Sequence, residues 1–126
     1  MQFESRRLAD VVVAAPSGRI DHPNSEKLRD ALAPVLAAAV ADKHALVLDF
    51  SRIEYISSMG LRVLLLAAKA LHAAGARIAV AALRPVVAEI FAIARFNHVV
   101  EIFPDVRTAL AQLSAPALAA YDEGPR

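Results

Sequence analysis

The sequence contains no cysteine, no tryptophan and no long uninterrupted apolar run. Without cysteine there is no disulfide framework, no thiolate metal site and no thiol nucleophile, which suits a reducing compartment. The most apolar region, residues 61–83, is interrupted by four polar side chains: Arg62, Lys69, His72 and Arg77. Because a membrane-spanning helix needs roughly 18 or more consecutive apolar residues, we expect no membrane insertion.

An excess of one charge sign is also missing. Fourteen Lys and Arg residues stand against 13 Asp and Glu residues, giving a net charge of +1, and both signs are interspersed along the chain. No charged segment therefore indicates nucleic acid or an acidic membrane surface as a direct partner. The basic residues near the start are not followed by the longer apolar segment that a signal peptide requires, so we expect a cytoplasmic protein.

Recognisable catalytic and nucleotide-binding motifs are absent as well. The sequence has no G-x-S-x-G elbow, no G-x-G-x-x-G fingerprint and no Walker A loop. Its histidines lack both metal-ligand spacing and an obvious partner acid; they are His22, His44, His72 and His98. We therefore expect no catalytic residue, no metal site and no cofactor.

The residues that are present indicate one globular domain with an aliphatic core. The chain has 126 residues, of which 57% are apolar, and no internal repeat or linker divides it. A chain of this length buries roughly two-thirds of its unfolded surface without disulfides or metal.

Strand and helix patterns alternate along the chain after an opening hairpin. Strands are expected at residues 3–7, 11–15, 19–20, 45–50, 77–83 and 99–103. Helices are expected at residues 22–42, 58–74, 85–94 and 106–113. Residues 16–18 have turn chemistry, Asn24 or Ser25 can cap the first helix, and Pro34 should bend that helix or move its boundary. We expect the tail, residues 114–126, to be frayed.

This order predicts an α/β domain with a mixed, mainly parallel sheet after the hairpin and about four helices. The continuous apolar run at residues 45–50 indicates a central strand that helices cover on both faces. Functional groups in such sheets tend to lie at the carboxyl ends of strands. The polar residues in that zone are Asp49, Ser51, Ser57 and Ser58. Asp21 joins them if its strand runs parallel to residues 45–50.

Ser57 and Ser58 stand where the central helix is expected to begin. A helix N-terminus has unpaired N–H groups and a partial positive charge, so it accepts either a capping serine oxygen or an anion such as phosphate. From the residues alone, capping is the simpler role for the serine pair. For Asp21 and Asp49, turn capping explains the residues as well as a functional role does.

Four segments, in this order, resemble the STAS domain of bacterial anti-anti-sigma factors, which are anti-sigma factor antagonists. They are SGRID before the first helix, LVLDFSRIEYISSMGLRVL at the strand–helix junction, GARIAVAALRPVVAEIFAIA and VEIFPDVRTALAQL. The most specific part is D-x-S followed by S-S-x-G-L. The resemblance extends over about residues 3–113, so we assign residues 1–113 to a single STAS-like domain.

The resemblance implies a regulatory phosphoprotein that is not an enzyme. Such proteins act in bacterial partner switching and transcription regulation. Unphosphorylated, they bind an anti-sigma factor that is also a serine kinase of the ATP-binding type, and so free a sigma factor or another client. Phosphorylated, they release this partner until a metal-dependent serine phosphatase removes the phosphate.

Within the resemblance, Ser58 matches the phosphorylated serine. Ser57 stands where many family members have aspartate, so Ser57 remains the second candidate. The partner-binding surface that the resemblance implies consists of Asp21, Ser51, Ser57, Ser58, Met59, Gly60 and Arg62. Arg62 lies one helical turn after Ser58, where it can contact a phosphate or a partner carboxylate. The alternative function is a constitutive STAS adaptor subunit of a transporter or signalling complex, which is not phosphorylated.

Overall fold

The computed structural model describes residues 1–124, which form six strands, five α-helices and one short 3-10 helix. The strands are β1 (Gln2–Leu8), β2 (Val11–Ile20), β3 (Ala45–Asp49), β4 (Ile53–Ile56), β5 (Ile78–Ala81) and β6 (Glu101–Phe103). The α-helices are α1 (His22–Asp42), α2 (Ser58–Ala73), α3 (Pro85–Ile93), α4 (Val106–Leu113) and α5 (Ala115–Asp122), and the 3-10 helix is Phe96–His98. The predicted α/β class is confirmed, with five α-helices rather than about four.

The strands form one mixed sheet in the order β1-β2-β3-β5-β6. β1 is antiparallel to β2, whereas β2, β3, β5 and β6 are parallel to one another. β2 pairs with β3 along residues 11–14 and with β4, also in parallel, along residues 18–20. β2 therefore organises the sheet, because it has three partner strands.

The turn expected at residues 16–18 is wrong, because β2 continues through them as one strand of 10 residues. The hairpin turn lies earlier, at Ala9 and Asp10, between β1 and β2. Gly18 instead provides the positive φ of +105° at an irregularity in the pairing of β2 with β4. Pro16 lies between the β3-paired and β4-paired segments, where the strand tolerates a residue without an N–H.

Two layers of helices cover the two faces of the sheet. On one face, buried residues of α1, α2 and α3 pack on Leu46 and Leu48 of β3. On the other face, buried residues of α4 and α5 pack on Val47. Since successive side chains of β3 are buried on opposite faces, the prediction of a central strand covered on both sides is confirmed.

The cap of α1 is Asp21 rather than Asn24 or Ser25. The Asp21 carboxylate accepts a hydrogen bond of 3.0 Å from the backbone N–H of Asn24. The helix begins earlier than its cap chemistry suggested because β2 ends at Ile20. Pro34 does not move the helix boundary: α1 continues through it for 21 residues, and Pro34 lies on the exposed side.

The frayed tail predicted for residues 114–126 is wrong for residues 115–122, which form α5. Ser114 caps this helix by accepting a hydrogen bond from the N–H of Ala117, and its hydroxyl donates to Asp10. Pro116 suits the first turn of a helix, where no N–H is needed. Ala117 is fully buried against the sheet. Residues 125 and 126 of the predicted tail lie outside the described residues.

Candidate functional site

The N-termini of α1 and α2 lie side by side at the carboxyl ends of β2 and β4. Ile20 and Ile56 are the last register pair of the parallel strands β2 and β4. The next residues, Asp21 and Ser57, cap α1 and α2. The backbone N–H of Ser57 also donates a hydrogen bond of 2.7 Å to the carbonyl of Ile20. Because β2 runs parallel to β3, Asp21 lies close to the serine pair, as the sequence predicts for parallel strands.

The hydroxyl and the carbonyl of Ser57 both accept hydrogen bonds from the first turn of α2. Its backbone is extended, with φ −84° and ψ 169°, and its hydroxyl accepts a hydrogen bond of 3.2 Å from the N–H of Gly60. Its carbonyl accepts the N–H of Leu61 at 3.0 Å. The side chain is half-buried. Ser57 therefore supplies the serine oxygen that the first turn of α2 requires.

Ser58 is the first residue of α2 and is exposed. Within residues 1–124 its hydroxyl makes no hydrogen bond, so it is free to react or to contact a partner. Met59 beside it is 40% exposed, a large apolar side chain at the same helix end. Ser57 therefore serves as the half-buried cap of α2, whereas the hydroxyl of Ser58 faces solvent.

Gly60 holds the start of α2 close to the sheet. A Cβ atom at this position would lie 2.7 Å from Cγ2 of Ile20 and 2.7 Å from Cγ1 of Ile56. Contacts this short do not occur between real side chains, so only glycine fits unless the isoleucines move. The glycine of the S-S-x-G motif therefore fixes the height of Ser58 above the ends of β2 and β4.

Arg62 lies one helical turn after Ser58 and is exposed. No other side chain of the described part of the chain holds its guanidinium by a hydrogen bond or ion pair. It is the nearest cation along α2 that could contact an anion at Ser58.

Ser51 lies beside Asp49 at the start of the loop after β3. The Asp49 carboxylate accepts the N–H of Ser51 at 3.0 Å, and Arg84 donates to the carbonyl of Ser51 at 2.8 Å. Side chains alternate between the two faces along β3, so Asp49 lies on the same face as Val47 and opposite to Leu48. This is the face that α4 and α5 cover. Ser51 lies in the loop that leads to β4, whereas Asp49 does not join the surface around Ser58.

Arg19 and Tyr55 form a contact beside the two caps that sequence reasoning missed. They are register partners on β2 and β4, and the Arg19 guanidinium lies 4.8 Å from the centroid of the Tyr55 ring. The Arg19 carbonyl also accepts the side-chain amide of Asn24 at 2.9 Å. The signal for this pair is the pairing of β4 with β2, and β4 was not predicted.

Residues 1–124 contain neither a candidate membrane span nor a candidate metal cluster. Among the helices of residues 1–124, none is long and apolar enough to cross a bilayer. Over the same residues, no group of three or more histidine, aspartate or glutamate side chains is arranged to hold a metal ion.

The comparisons with known proteins agree with the fold. The family model for the STAS domain matches residues 2–109. BtrV of Bordetella bronchiseptica, provisionally named an anti-sigma factor antagonist, is 34% identical over 117 residues, which cover 91% of this chain and 94% of BtrV. The chain is a STAS domain protein of the anti-sigma factor antagonist family. The resemblance seen in its sequence is therefore confirmed.

Solved structures share the fold of this STAS domain. An anti-sigma factor antagonist from Mycobacterium paratuberculosis is 25% identical with a TM-score of 0.75, covering 89% of this chain and 92% of that one. Unphosphorylated SpoIIAA, also an anti-sigma factor antagonist, is 19% identical with a TM-score of 0.69, covering 88% and 95%. The phosphorylated form of SpoIIAA, from Bacillus, is 18% identical with a TM-score of 0.64, covering 88% and 98%.

Proposed function

We propose that this STAS domain protein is a phosphorylatable switch whose acceptor is Ser58. Unphosphorylated, it binds an anti-sigma factor that is also a serine kinase of the ATP-binding type. The kinase transfers the γ-phosphoryl group of ATP to Oγ of Ser58, the hydroxyl loses its proton, and ADP leaves. The phosphorylated protein releases the kinase, and a metal-dependent serine phosphatase hydrolyses the phosphate. The protein is not itself an enzyme, and it acts in the cytoplasm on transcription.

The observation that carries this proposal is the different engagement of the two serines. Phosphoryl transfer needs a hydroxyl that can enter the active site of another protein. Ser58 is exposed and makes no hydrogen bond within the described residues, whereas Ser57 is half-buried and accepts the N–H of Gly60. Phosphorylation of Ser57 would modify the oxygen that accepts the N–H of Gly60, whereas phosphorylation of Ser58 would leave that cap untouched.

The position of Ser58 also suits the product. A phosphoserine adds a charge of about −1.5 to −2, and the start of a helix favours negative charge. The fold should therefore survive the modification. The surface changes instead, because a partner that docks on a neutral serine must desolvate the new charge. A loss of a few kcal/mol of binding free energy weakens affinity by roughly two orders of magnitude.

We infer that the partner contacts the surface around this hydroxyl. Its proposed members are Asp21, Ser51, Ser57, Ser58, Met59, Gly60 and Arg62. Asp21 offers a carboxylate next to the serines, Met59 offers apolar contact area, and Arg62 offers a free guanidinium. Gly60 acts indirectly, by setting the height of α2. The anti-sigma factor antagonists among the relatives favour this assignment over a constitutive adaptor.

Binding of the partner kinase tests the switch. The affinity of the kinase encoded nearest to this gene should be measured by calorimetry for the unchanged protein, Ser58→Asp, Ser58→Ala and Ser57→Ala. We expect Ser58→Asp to weaken binding by about a hundredfold or more, because it places a charge at the docking surface. Ser58→Ala should still bind, since it remains neutral.

Ser57→Ala controls for loss of the helix cap, because it should lower thermal stability, and it should weaken kinase binding far less than Ser58→Asp does, since it adds no charge to the proposed surface. Ser58→Asp with unchanged affinity and unchanged melting would contradict the switch and favour the constitutive adaptor.

A further inference from the structure

A cleft of about 350 Å³ opens on the sheet face opposite α2. Val13 and Ala15 of β2 form its floor, and Val106 of α4 and Tyr121 of α5 border it. In the hairpin, Val13 is the register partner of Arg6. Because register partners in a sheet point to the same face, the β1 side chains beside the floor also line the cleft.

One wall of the cleft is β1, which contributes Glu4 and Arg6. Glu4 is the register partner of Ala15, so these two charged side chains alternate with Ser5 along the strand. The Arg6 guanidinium lies 5.5 Å from the centroid of the Tyr121 ring. This cation–π contact holds Arg6 at the side of the cleft that α5 borders.

The opposite wall is the end of β3 and the loop after it, which contribute Asp49 and Arg52. Two hydrogen bonds donated by backbone N–H groups hold this loop in place. Asp49 accepts the N–H of Ser51 at 3.0 Å, and the carbonyl of Arg52 accepts the N–H of Gly18 at 3.0 Å. The wall lies at the carboxyl end of a parallel strand, where ligands of α/β sheets commonly bind.

Each wall thus has one acidic and one basic side chain. Within residues 1–124 none of the four, Glu4, Arg6, Asp49 and Arg52, forms an ion pair with another side chain. The floor between them is apolar. A ligand with charge of a single sign would meet two like charges as well as two opposite ones, so such a ligand gains little from this arrangement.

We propose that this cleft binds a small zwitterion with an apolar body, of the free amino acid or short peptide class. A carboxylate binds the planar guanidinium of Arg6, which suits bidentate hydrogen bonding. An ammonium group binds Asp49 on the opposite wall, and the apolar body covers Val13. A volume of about 350 Å³ lies at the small end of ligand pockets, which suits a ligand of this size.

This site is distinct from the serine surface. α2 packs on the other face of the sheet, and the two regions share only Ser51. Binding in the cleft therefore does not depend on phosphorylation of Ser58. Failure of one proposal leaves the other standing.

Titration of the ¹⁵N-labelled full chain tests the proposal. The probes are L-leucine, L-phenylalanine and leucyl-leucine, each added to millimolar concentration. We expect at least one of them to cause saturable amide shifts at Val13, Ala15 and Arg52. The matched analogues are 4-methylpentanoate, which is leucine without its amine, and 3-methylbutylamine, which is leucine without its carboxylate. Each should bind about tenfold or more weakly than leucine, because one charged contact is lost.

Two variants locate the site. Arg6→Gln and Asp49→Asn should each weaken binding of the best zwitterion about tenfold, and Asn at position 49 can still accept the N–H of Ser51. Arg29→Gln is the control: Arg29 is exposed on α1, on the other sheet face, so this variant should bind normally. The proposal is overturned if no zwitterion gives saturable shifts, if the analogues bind as well as leucine, or if binding is indifferent to Arg6→Gln and Asp49→Asn in folded variants.

Discussion

Gly60→Ala is the sharpest test of the structure around Ser58, because it adds one methyl group where the start of α2 lies close to β2 and β4. The new Cβ would lie 2.7 Å from Ile20 Cγ2 and 2.7 Å from Ile56 Cγ1. Both atoms are attached directly to Cβ of a fully buried isoleucine, so neither can move aside by a simple rotation of a side-chain end. The start of α2 must shift outward instead.

The magnitude follows from two opposing effects. Overpacking a core by one methyl group typically costs about 1–3 kcal/mol. Alanine in place of glycine gains at most about 1 kcal/mol of helix propensity, and less in the first turn. We therefore expect the free energy of unfolding to fall by about 1–2 kcal/mol. For a domain of this size, that is a decrease of several degrees in Tm.

Urea denaturation followed by circular dichroism measures this change. Ser58→Ala is the matched control, since Ser58 is exposed in the same helical turn and should change stability by less than about 0.5 kcal/mol. Combining Gly60→Ala with Ile56→Ala should cost less than the two single changes added together, because the clash with Ile56 is relieved although that with Ile20 remains.

A Gly60→Ala protein as stable as the unchanged protein, or more stable, would show that helix propensity outweighs any clash. That result would refute the close approach of α2 to β2 and β4. A strictly additive double variant would contradict the contact with Ile56 in the same way.

Three further predictions concern the rest of the fold. Asp21→Ala removes the cap of α1 and should lower the free energy of unfolding by about 1 kcal/mol in urea denaturation, with Asp21→Asn close to unchanged; equal losses would contradict capping. Ala117→Asp buries a charge under α5 and should cost about 1–3 kcal/mol, whereas Ala119→Asp on the exposed side should cost little; equal Tm values would mean that α5 does not dock. The hydrogen bonds from Arg77 lower the pKa of Glu101 in the folded protein. The ion pair therefore stabilises the fold fully at pH values above the unfolded pKa of this carboxyl group. Its contribution is lost as the pH falls through the lower pKa of the folded state. Arg77→Met should therefore cost less than about 1 kcal/mol at neutral pH, since the pair is largely exposed, and the difference in Tm should vanish in strong acid; a difference that persists there would contradict the ion pair as its cause.

Local chain chemistry determined the elements that could be predicted from the sequence. α2 begins at Ser58 and is followed by Gly75 with φ +78°, as its capping pattern indicated. Pro85 opens α3, and Asp105 caps α4 by accepting the N–H of Thr108. Each of these signals acts within a few residues, so no knowledge of tertiary contacts was needed.

The elements that were missed depend on partners far along the chain. β4 has four residues and exists because it pairs with the end of β2, more than 30 residues earlier. Pairing with β1 keeps β2 extended through Pro16, and pairing with β4 carries the strand on to Ile20, so that Asp21 follows it as the cap of α1. α5 folds because Ala117 docks on the far sheet face. The pattern of apolar residues along the sequence does not show which strand pairs with which.

The site was predictable in part. The S-S-x-G motif identified the serine pair, and the structure now assigns the capping hydrogen bond to Ser57. The position of Asp49 on the opposite face follows from alternation along β3, but what covers each face does not. The contact of Arg19 with Tyr55 required the β2–β4 register, which the sequence did not reveal.

The most direct test of the proposed switch is phosphosite mapping after incubation with the partner kinase and ATP. Trypsin cleaves after Arg52 and Arg62, releasing residues 53–62, in which Ser57 and Ser58 are the only serines. Fragmentation between these two residues identifies the acceptor. We predict one phosphate on Ser58, retained in Ser57→Ala and lost in Ser58→Ala. Phosphate on Ser57 would contradict the choice of acceptor, and an unmodified peptide would contradict the switch itself.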